Sequence, residues 1–273
     1  MRVQLVPNAT PDPTLPLYTL DEKLAAVLDL GPSLLLDVKD EYVLGGGFTD
    51  PAPAFRAMNL ADESDMIAPG GRHPILTGTG ASGAGTALGF GWRGDLDFSA
   101  NNGWLQFADD REHDLSGDFT MAICIFVPTA QQAEGLRGGI VFGERDDANP
   151  NYLGTDYGSG ALRYALDSTT YVSLPMGPGQ VHTAMLSYVA TEQVAHVWID
   201  NAYAMSSSGV PAWGTSRLLI GATGAAVANN YYLVADLPAA LILPGKAFAP
   251  TGIDADRAAV LAWLEQVRVR SVA

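Results

Sequence analysis

Residues 182–221 constrain the fold of this chain more than any other stretch. Two runs rich in aliphatic and aromatic residues, 182–190 (HTAMLSYVA) and 194–200 (VAHVWID), precede a polar segment and a third short run, 217–221 (RLLIG). The pair Asp200-Asn201 ends the second run, and this pair suits a turn that reverses an antiparallel ribbon. The stretch therefore predicts three strands of an antiparallel sheet, the last of them following a polar loop.

The same pattern continues through the C-terminal two thirds of the chain. From about residue 94 onward we predict ten strands separated by turn residues, at LDFSA, GWLQFA, DFTMAICIFV, GGIVFGE, ALRYALD, TYVSLP, HTAMLSYVA, VAHVWID, RLLIG and YYLVADLPAALIL. This arrangement favours an all-β, two-sheet antiparallel jelly-roll sandwich over βαβ units. In residues 119–127 both alternating sets of side chains are apolar, which predicts a central strand covered on both faces.

Three regions are predicted along the chain. Residues 1–18 carry four prolines and form an extended arm, which we expect the body of the chain or a neighbouring subunit to hold. Residues 19–93 form an N-terminal extension with a short helix, strands and a glycine-rich loop. Residues 94–273 form the sandwich, and a C-terminal helix closes it.

Both predicted helices begin with a capping box. Thr19 and Glu22 frame the first, which Gly31-Pro32 would end, and Thr251 and Asp254 frame the second. On the second helix Val260, Trp263, Leu264 and Val267 share one face, which we expect to pack on the sandwich.

The charge balance restricts the partners. Thirty acidic residues against fifteen basic ones give a net charge of −15. Such a surface repels nucleic-acid phosphates and anionic membranes, so the expected partners are other proteins or neutral sugars. The sequence shows neither an apolar run of about 20 residues nor a signal peptide. We therefore expect the chain to be made in a cytoplasm and, if it acts outside, to leave by a route other than standard secretion, of which release by lysis inside a particle is one.

The sequence contains only incomplete motifs for binding a cofactor or a metal. Gly78–Gly83 matches G-x-G-x-x-G without the strand, the helix and the acidic residue that a dinucleotide fold needs. The four histidines lack metal-ligand spacing, although His182 and His196 lie on neighbouring predicted strands and could come close. Cys124 lies in an apolar run and is interpreted as a buried thiol. No cofactor and no metal site is predicted.

A pair of carboxylates on one face of a strand would be the remaining indication of an enzyme. The string Glu-x-Asp-x-x-Glu, which would place carboxylates on one face of a strand, does not occur. Acidic clusters do occur at turns and strand ends, where we expect solvated side chains, and they comprise Asp37/Asp40/Glu41, Asp62/Glu63/Asp65, Asp109/Asp110/Glu112/Asp114 and Glu144/Asp146/Asp147. The interpretation is that the chain is not an enzyme.

Residues 144–158 are the best candidate binding segment. They are interpreted as a long connection between strands, and its candidate ligand-binding residues are Asp146, Asp147, Asn149, Tyr152 and Tyr157. Clustered oxygen ligands suit Ca²⁺, and aromatic faces suit stacking on sugar rings. The alternative is a polar loop whose tyrosines anchor its base. The tryptophans 92, 104, 198 and 213 are interpreted as core or loop anchors.

The run from Asp118 to the terminal helix resembles the concanavalin A-like, laminin-G-like jelly rolls. The matching pieces are GDFTMAICIFVP, GGIVFGE, HTAMLSYVATEQVAHVWIDNAYA, RLLIGATG, YYLVADLPAALIL and GIDADRAAVLAWLEQ. Val181-His182 stands where the family usually has Trp-His, and Asn201 replaces a turn glycine. The resemblance implies the fold, which lectins, enzymes and structural modules share.

The segment upstream resembles a leader that precedes such domains in tailed-phage virion proteins. Leu36-Asp37-Val38, Tyr42, Gly45–Gly47 and Phe55-Arg56-Ala57 hold the matching places, and the Ser/Thr-rich continuation is missing. The resemblance implies a non-enzymatic virion component of head or tail, such as a decoration, fibre or spike. Its partners would be other virion proteins, further copies of itself and a host-surface polysaccharide. The alternatives are a free lectin-like carbohydrate-binding module and a glycoside-cleaving enzyme without a recognisable motif.

Overall fold

The computed structural model describes most of the second half of the chain and parts of the first. The described residues are 21–37, 44–45, 56–67, 75–77, 89–92, 104–127, 129, 139–145, 151–156, 159–165, 171–209, 213–222, 233 and 235–271. The predicted proline-rich arm, the predicted strand LDFSA and the segment Gly78–Gly83 lie outside them. Among the described residues no helix is long and apolar enough to cross a membrane.

Eight antiparallel strands form the larger sheet. With strands numbered in chain order, they are β1 Leu34–Asp37, β5 Ile75–Thr77, β6 Gly89–Trp92, β9 Phe119–Phe126, β14 Val181–Val189, β15 Val194–Ile199, β16 Ala202–Ser208 and β19 Ala235–Pro244. Their order across the sheet is β16-β15-β14-β9-β19-β6-β5, and β1 also pairs with β19. Strands from the predicted extension, residues 19–93, thus belong to the main sheet, while the division at residue 93 stays a prediction.

Five strands form the second sheet, in the order β13-β12-β11-β10-β18. They are β10 Gly139–Glu144, β11 Tyr152–Thr155, β12 Leu162–Ala165, β13 Tyr171–Leu174 and β18 Leu218–Ile220. The smaller sheets contain β2 Leu44–Gly45, β3 Arg56–Asn59, β4 Ser64–Ile67 and β7 Gln106–Phe107, and β8 His113–Asp114 with β17 Thr215–Ser216. The helices are α1 Glu22–Leu28 and α2 Ala255–Ser271.

The large sheet is covered on both faces. Phe119, Met121, Ile123 and Ile125 of β9 belong to the core cluster between the two sheets. The alternate residues Ala122, Cys124 and Phe126 belong to a second cluster, which α1 and α2 complete. All eight residues of β9 are buried. The predicted central strand and the predicted all-β antiparallel sandwich are therefore confirmed, and Cys124 is the buried thiol that the sequence indicated.

The turn after β15 is the one that the residue pair predicts. Asp200 and Asn201 have φ angles of 49° and 64°, as a two-residue type I′ hairpin turn requires. The predicted polar loop that follows is wrong for residues 202–208, because these form β16, which pairs with β15 at every residue except Ala204. Alanine and serine dominate β16, and at an exposed sheet edge they carry little hydrophobic signal.

Both helices begin later than their predicted caps. Asp21 caps α1, and its side chain accepts a hydrogen bond from the Lys23 amide. The Asp254 side chain accepts from the Arg257 amide at 3.0 Å and caps α2 in the same way. Because aspartate is itself a strong N-cap residue, it takes this position in preference to the threonine before it. The predicted face of α2, with Val260, Trp263, Leu264 and Val267, is buried.

Asp37 departs from the prediction of solvated acidic clusters. It is 1 % exposed, and its carboxylate accepts a hydrogen bond from Trp263 Nε1 at 3.0 Å. The Arg270 guanidinium also pairs with it. The end of β1 is thereby fixed to α2 by a buried ionic contact.

The loop before β1 is fixed to the sandwich by two polar side chains. The Asn59 side chain accepts from the Leu35 amide at 2.8 Å and donates to the Ser33 carbonyl at 3.0 Å. His113 is 4 % exposed, and its Nδ1 lies 3.2 Å from Ser33 Oγ. Its ring packs on Phe107 at 4.8 Å between centroids.

Burial of His113 predicts a measurable loss of stability in acid. Burial, with a smaller contribution from the charge on Arg111, lowers the pKa of His113 from 6.5 to about 4. Because the folded state resists protonation, its stability falls as the pH drops from 6.5 towards 4. The loss from this group between pH 7 and pH 5 is about 2 kcal/mol. Urea unfolding at pH 7 and at pH 5 measures this loss. In His113→Phe, whose side chain cannot titrate, the loss of stability between the two pH values should be smaller than in the wild type. An unchanged pH dependence in the variant would contradict the assignment.

Candidate functional site

The predicted binding segment 144–158 divides between a hairpin and its connecting loop. Tyr152 begins β11, which pairs with β10 and β12, so the prediction of a continuous connection is wrong for Tyr152–Thr155. Asp146, Asp147, Asn149 and Tyr157 lie outside the described residues. Tyr152 is thus the one candidate that the structure places, next to the loop that connects β10 and β11.

Tyr152 lies on the face of the five-stranded sheet that is turned away from the core. Phe142 and Leu153 are paired across the ladder and both belong to the core between the sheets. Alternation along each strand therefore places their neighbours Gly143 and Tyr152 on the outer face. Tyr152 is half-buried. Its partners across the ladder are small, Gly143 on one side and Ala165 on the other.

Two arginines lie beside this position on the same outer face. The Arg145 amide donates to the Arg217 carbonyl at 2.8 Å, which places the two residues opposite each other, Arg145 directly after β10 and Arg217 directly before β18. Both guanidinium groups contact Asp110: Arg145 Nη1 lies 2.5 Å from Oδ1, and Arg217 Nε lies 3.1 Å from Oδ2. About a third of each arginine side chain is exposed. We call Tyr152, Arg145, Arg217 and Asp110 the hairpin surface.

Trp104 and Gln106 extend the outer face beyond β18. Leu105 pairs with Ile220, and both of these belong to the core between the sheets. Trp104 therefore points outward, where it packs against Leu219. Its Nε1 donates to Gln106 Oε1 at 3.3 Å. This part of the face is built from an aromatic ring and an amide.

Glu144 anchors the hairpin from the inside. It is 2 % exposed, which makes it the second exception to the prediction of solvated acidic clusters. One carboxylate oxygen accepts from the amide and side chain of Asn151 at 3.0 and 3.2 Å, and the other accepts from the Gly214 amide at 2.9 Å. The carboxylate is thus occupied in joining both ends of the hairpin to the segment before β17.

A second surface, missed by the sequence reasoning, lies at the edge of the large sheet. The Tyr203 ring packs edge-on against Trp198, with 5.4 Å between centroids and an angle of 63°. It also lies 6.2 Å from the His196 ring. Tyr203 is 43 % exposed, whereas Trp198 and His196 are buried. We call Tyr203, Trp198, His196 and Ser206 the edge surface. The alternation of aromatic residues in 196–203 could have indicated it, had residues 202–208 been recognised as a strand.

His182 and His196 do not lie side by side in the structure. His196 lies opposite Ser187, five positions along β14 from His182, so the two predicted neighbours are apart. His182 instead contacts Asp200 through Nδ1 at 2.8 Å and the Gly177 carbonyl through Nε2 at 3.1 Å. In the described parts of the chain, no three histidine, cysteine or acidic side chains are placed to hold a metal ion.

Comparisons with known proteins bear on the fold. The sequence matches no protein-family model and no curated protein. Among solved structures, the receptor-binding domain of botulinum neurotoxin D is similar over 88 % of this chain and 54 % of that domain, with a TM-score of 0.53 and 7 % identity. The chain thus spans about half of that domain.

Two carbohydrate-related structures are less similar. The CBM40 module of the Ruminococcus gnavus IT-sialidase, bound to α2,3-sialyllactose, matches 55 % of this chain and 83 % of the module, with a TM-score of 0.41 and 10 % identity. The NanB sialidase of Streptococcus pneumoniae matches 55 % of this chain and 26 % of the enzyme, with a TM-score of 0.40 and 12 % identity. At identities of 7 to 12 % these similarities show the β-sandwich fold alone.

Proposed function

We propose that this chain is a non-catalytic recognition module that binds surface carbohydrate through the hairpin surface. The observation that carries the proposal is the placement of Tyr152 diagonally across the ladder from Arg145, which shares Asp110 with Arg217. Diagonal positions on neighbouring strands are about 7–8 Å apart, close enough for one sugar ring to contact both. Aromatic faces stack on the apolar face of a sugar, and planar charged groups bond its hydroxyls.

The carboxylates of this region support binding better than catalysis. A glycoside-cleaving site needs one carboxyl with a raised pKa as general acid. Glu144 is occupied by three hydrogen bonds, and Asp110 is held between two guanidinium groups. The hydrogen bond from Arg111 lowers the pKa of Asp109, so this carboxyl is ionised at neutral pH. A fold shared with a neurotoxin's receptor-binding domain agrees with a binding role.

A glycan array followed by titration tests this function. Wild-type protein should bind at least one surface glycan, and Tyr152→Ala should weaken that binding at least tenfold, or about 1.4 kcal/mol. Ser173→Ala is the matched control, because Ser173 is exposed on the same sheet and should leave affinity unchanged. Absence of binding to every glycan at millimolar concentration would overturn the proposal. Release of reducing ends from a bound glycan would instead favour the enzyme.

The second part of the proposal is that a virion carries the module, on its head or tail. The resemblance of the leader to those of tailed-phage proteins supports it, as does the acidic composition. In the structure the leader residues Leu34–Asp37 form a strand of the large sheet, so leader and sandwich fold together. A free lectin is the alternative.

Deletion of residues 1–18 separates these two. A virion protein that uses the arm for subunit contacts should be lost from purified particles, as judged by mass spectrometry, while its glycan binding persists. Incorporation that survives the deletion would contradict the role of the arm. Absence of the full-length chain from all particles would leave the free lectin as the better hypothesis.

A further inference from the structure

We propose that the edge surface is a second, independent saccharide site, and that it takes neutral sugars. Among the side chains that the structure describes, Tyr203 is the one exposed aromatic. An exposed ring gives a sugar the flat apolar face on which its C–H groups can pack. The site lies on the eight-stranded sheet, and the hairpin surface lies on the five-stranded sheet.

The Tyr203 ring is held in place before any ligand arrives. Trp198 is 3 % exposed and supports the ring edge-on at 5.4 Å, while the Tyr203 hydroxyl lies 3.5 Å from His196 Nδ1. The ring is therefore supported both on its body and at its tip. A side chain ordered in advance loses little conformational entropy on binding, which favours recognition of a weakly binding ligand.

The surroundings of the ring select for an uncharged ligand. Strand β16 reads AYAMSSS and carries no charged side chain, in a chain with thirty acidic and fifteen basic residues. The serine hydroxyls of Ser206 and Ser208 are exposed and can both donate and accept hydrogen bonds. A sulfated or carboxylated sugar would find no cation on β16 and would meet the negative field of the whole chain. The chemistry fits a neutral pyranose with one apolar face.

The same edge is a poor template for pairing with a strand of another copy. The register between β15 and β16 shifts between Val197 and Trp198, where Ala204 is left without a partner. Such a bulge bends and twists the strand and interrupts the row of backbone groups that an incoming strand would use. A small ligand that contacts side chains is unaffected by this interruption. The bulge therefore favours a sugar over a second copy as the occupant.

Saturation-transfer NMR on the full chain, with neutral and acidic oligosaccharides, tests the second site. Neutral sugars should receive saturation from wild-type protein, and Tyr203→Ala should weaken their binding at least tenfold. Tyr203→Phe, which keeps the ring, should stay within about threefold of the wild type. The measurement is made in the Tyr152→Ala background, which removes the aromatic ring of the hairpin surface, so that the remaining signal reports the edge surface. Ser173→Ala, at an exposed position outside both surfaces, should leave the signal intact. Ser206→Glu places a carboxylate beside the ring at an exposed position, so it provides the same test if Tyr203→Ala folds poorly.

Three outcomes would overturn the inference. The first is neutral-sugar binding that, in the Tyr152→Ala background, survives both Tyr203→Ala and Ser206→Glu. The second is an absence of neutral-sugar binding in the wild type. The third is a change from dimer to monomer in Tyr203→Ala by light scattering, which would assign the edge to a second copy. Loss of binding in Tyr152→Ala alone would support the hairpin surface and overturn the edge site, so the two proposals fail separately.

Discussion

Replacing Asp37 by alanine is expected to lower the free energy of unfolding by about 3–5 kcal/mol. The Asp37 carboxylate is the buried acceptor for Trp263 Nε1 at 3.0 Å and the ionic partner of Arg270. Without it, the indole N–H loses an acceptor inside the core, and a guanidinium whose side chain is only 23 % exposed loses its counter-charge. Both losses act on α2, which covers one face of the large sheet.

Urea unfolding followed by circular dichroism measures this effect. Asp37→Asn is the matched control, because it keeps the shape and one acceptor oxygen for the indole while removing the charge. We expect it to lose about half as much stability as Asp37→Ala. A loss below about 1 kcal/mol in Asp37→Ala would show that the contact between β1 and α2 contributes little.

The second large effect is expected for Trp213→Ala, at about 3–5 kcal/mol. Trp213 is fully buried and belongs to the core between the sheets, as expected for a core or loop anchor. Its ring lies parallel to Tyr164 at 6.4 Å and edge-on to Phe119 at 6.0 Å. Its Nε1 donates to the Tyr164 hydroxyl at 3.0 Å. The substitution leaves a cavity and removes the partner of a phenol whose pKa is raised by burial.

Chemical unfolding and near-ultraviolet circular dichroism check this prediction. Trp104→Ala, at a half-buried position on the outer face, should cost less than about 1.5 kcal/mol and serves as the control. Trp213→Ala should also weaken glycan binding at the hairpin surface, because Gly214 beside it donates to Glu144. Equal losses in the two tryptophan variants would argue against Trp213 as the anchor.

Strands rich in apolar residues could be predicted from the sequence. Contacts between residues far apart in the chain could not. Residues 119–127 are apolar at nearly every position, so the burial of both faces of this strand could be predicted from its composition. Strand β16 could not be predicted because Ala202–Ser208 is an edge strand made largely of alanine and serine, a composition that is also typical of loops. The caps of both helices were ambiguous because threonine and aspartate occur together and both cap well.

The burial of two carboxylates could not have been predicted from local pattern. Asp37 meets Trp263 and Arg270 across 226 and 233 residues of chain, and Glu144 meets Gly214 across 70. Tyr152 was recognised as a candidate for its residue type, while its position on an outer sheet face follows only from the pairing of β10 with β11. The edge surface likewise depends on the pairing of β15 with β16.

The large sheet is buried on both faces, and this limits the positions at which the protein can accept substitutions. Seven of the eight side chains of β9 belong to one core cluster or the other, and the eighth, Thr120, is buried and donates a hydrogen bond to the Lys246 carbonyl. Substitutions in β9 are therefore expected to lower stability. Arg145, Tyr152 and Arg217 belong to neither core cluster. Under the proposed function, replacing them would alter glycan binding without changing a residue of either core cluster. The residues proposed to contact ligand and the residues that pack the large sheet are therefore different sets.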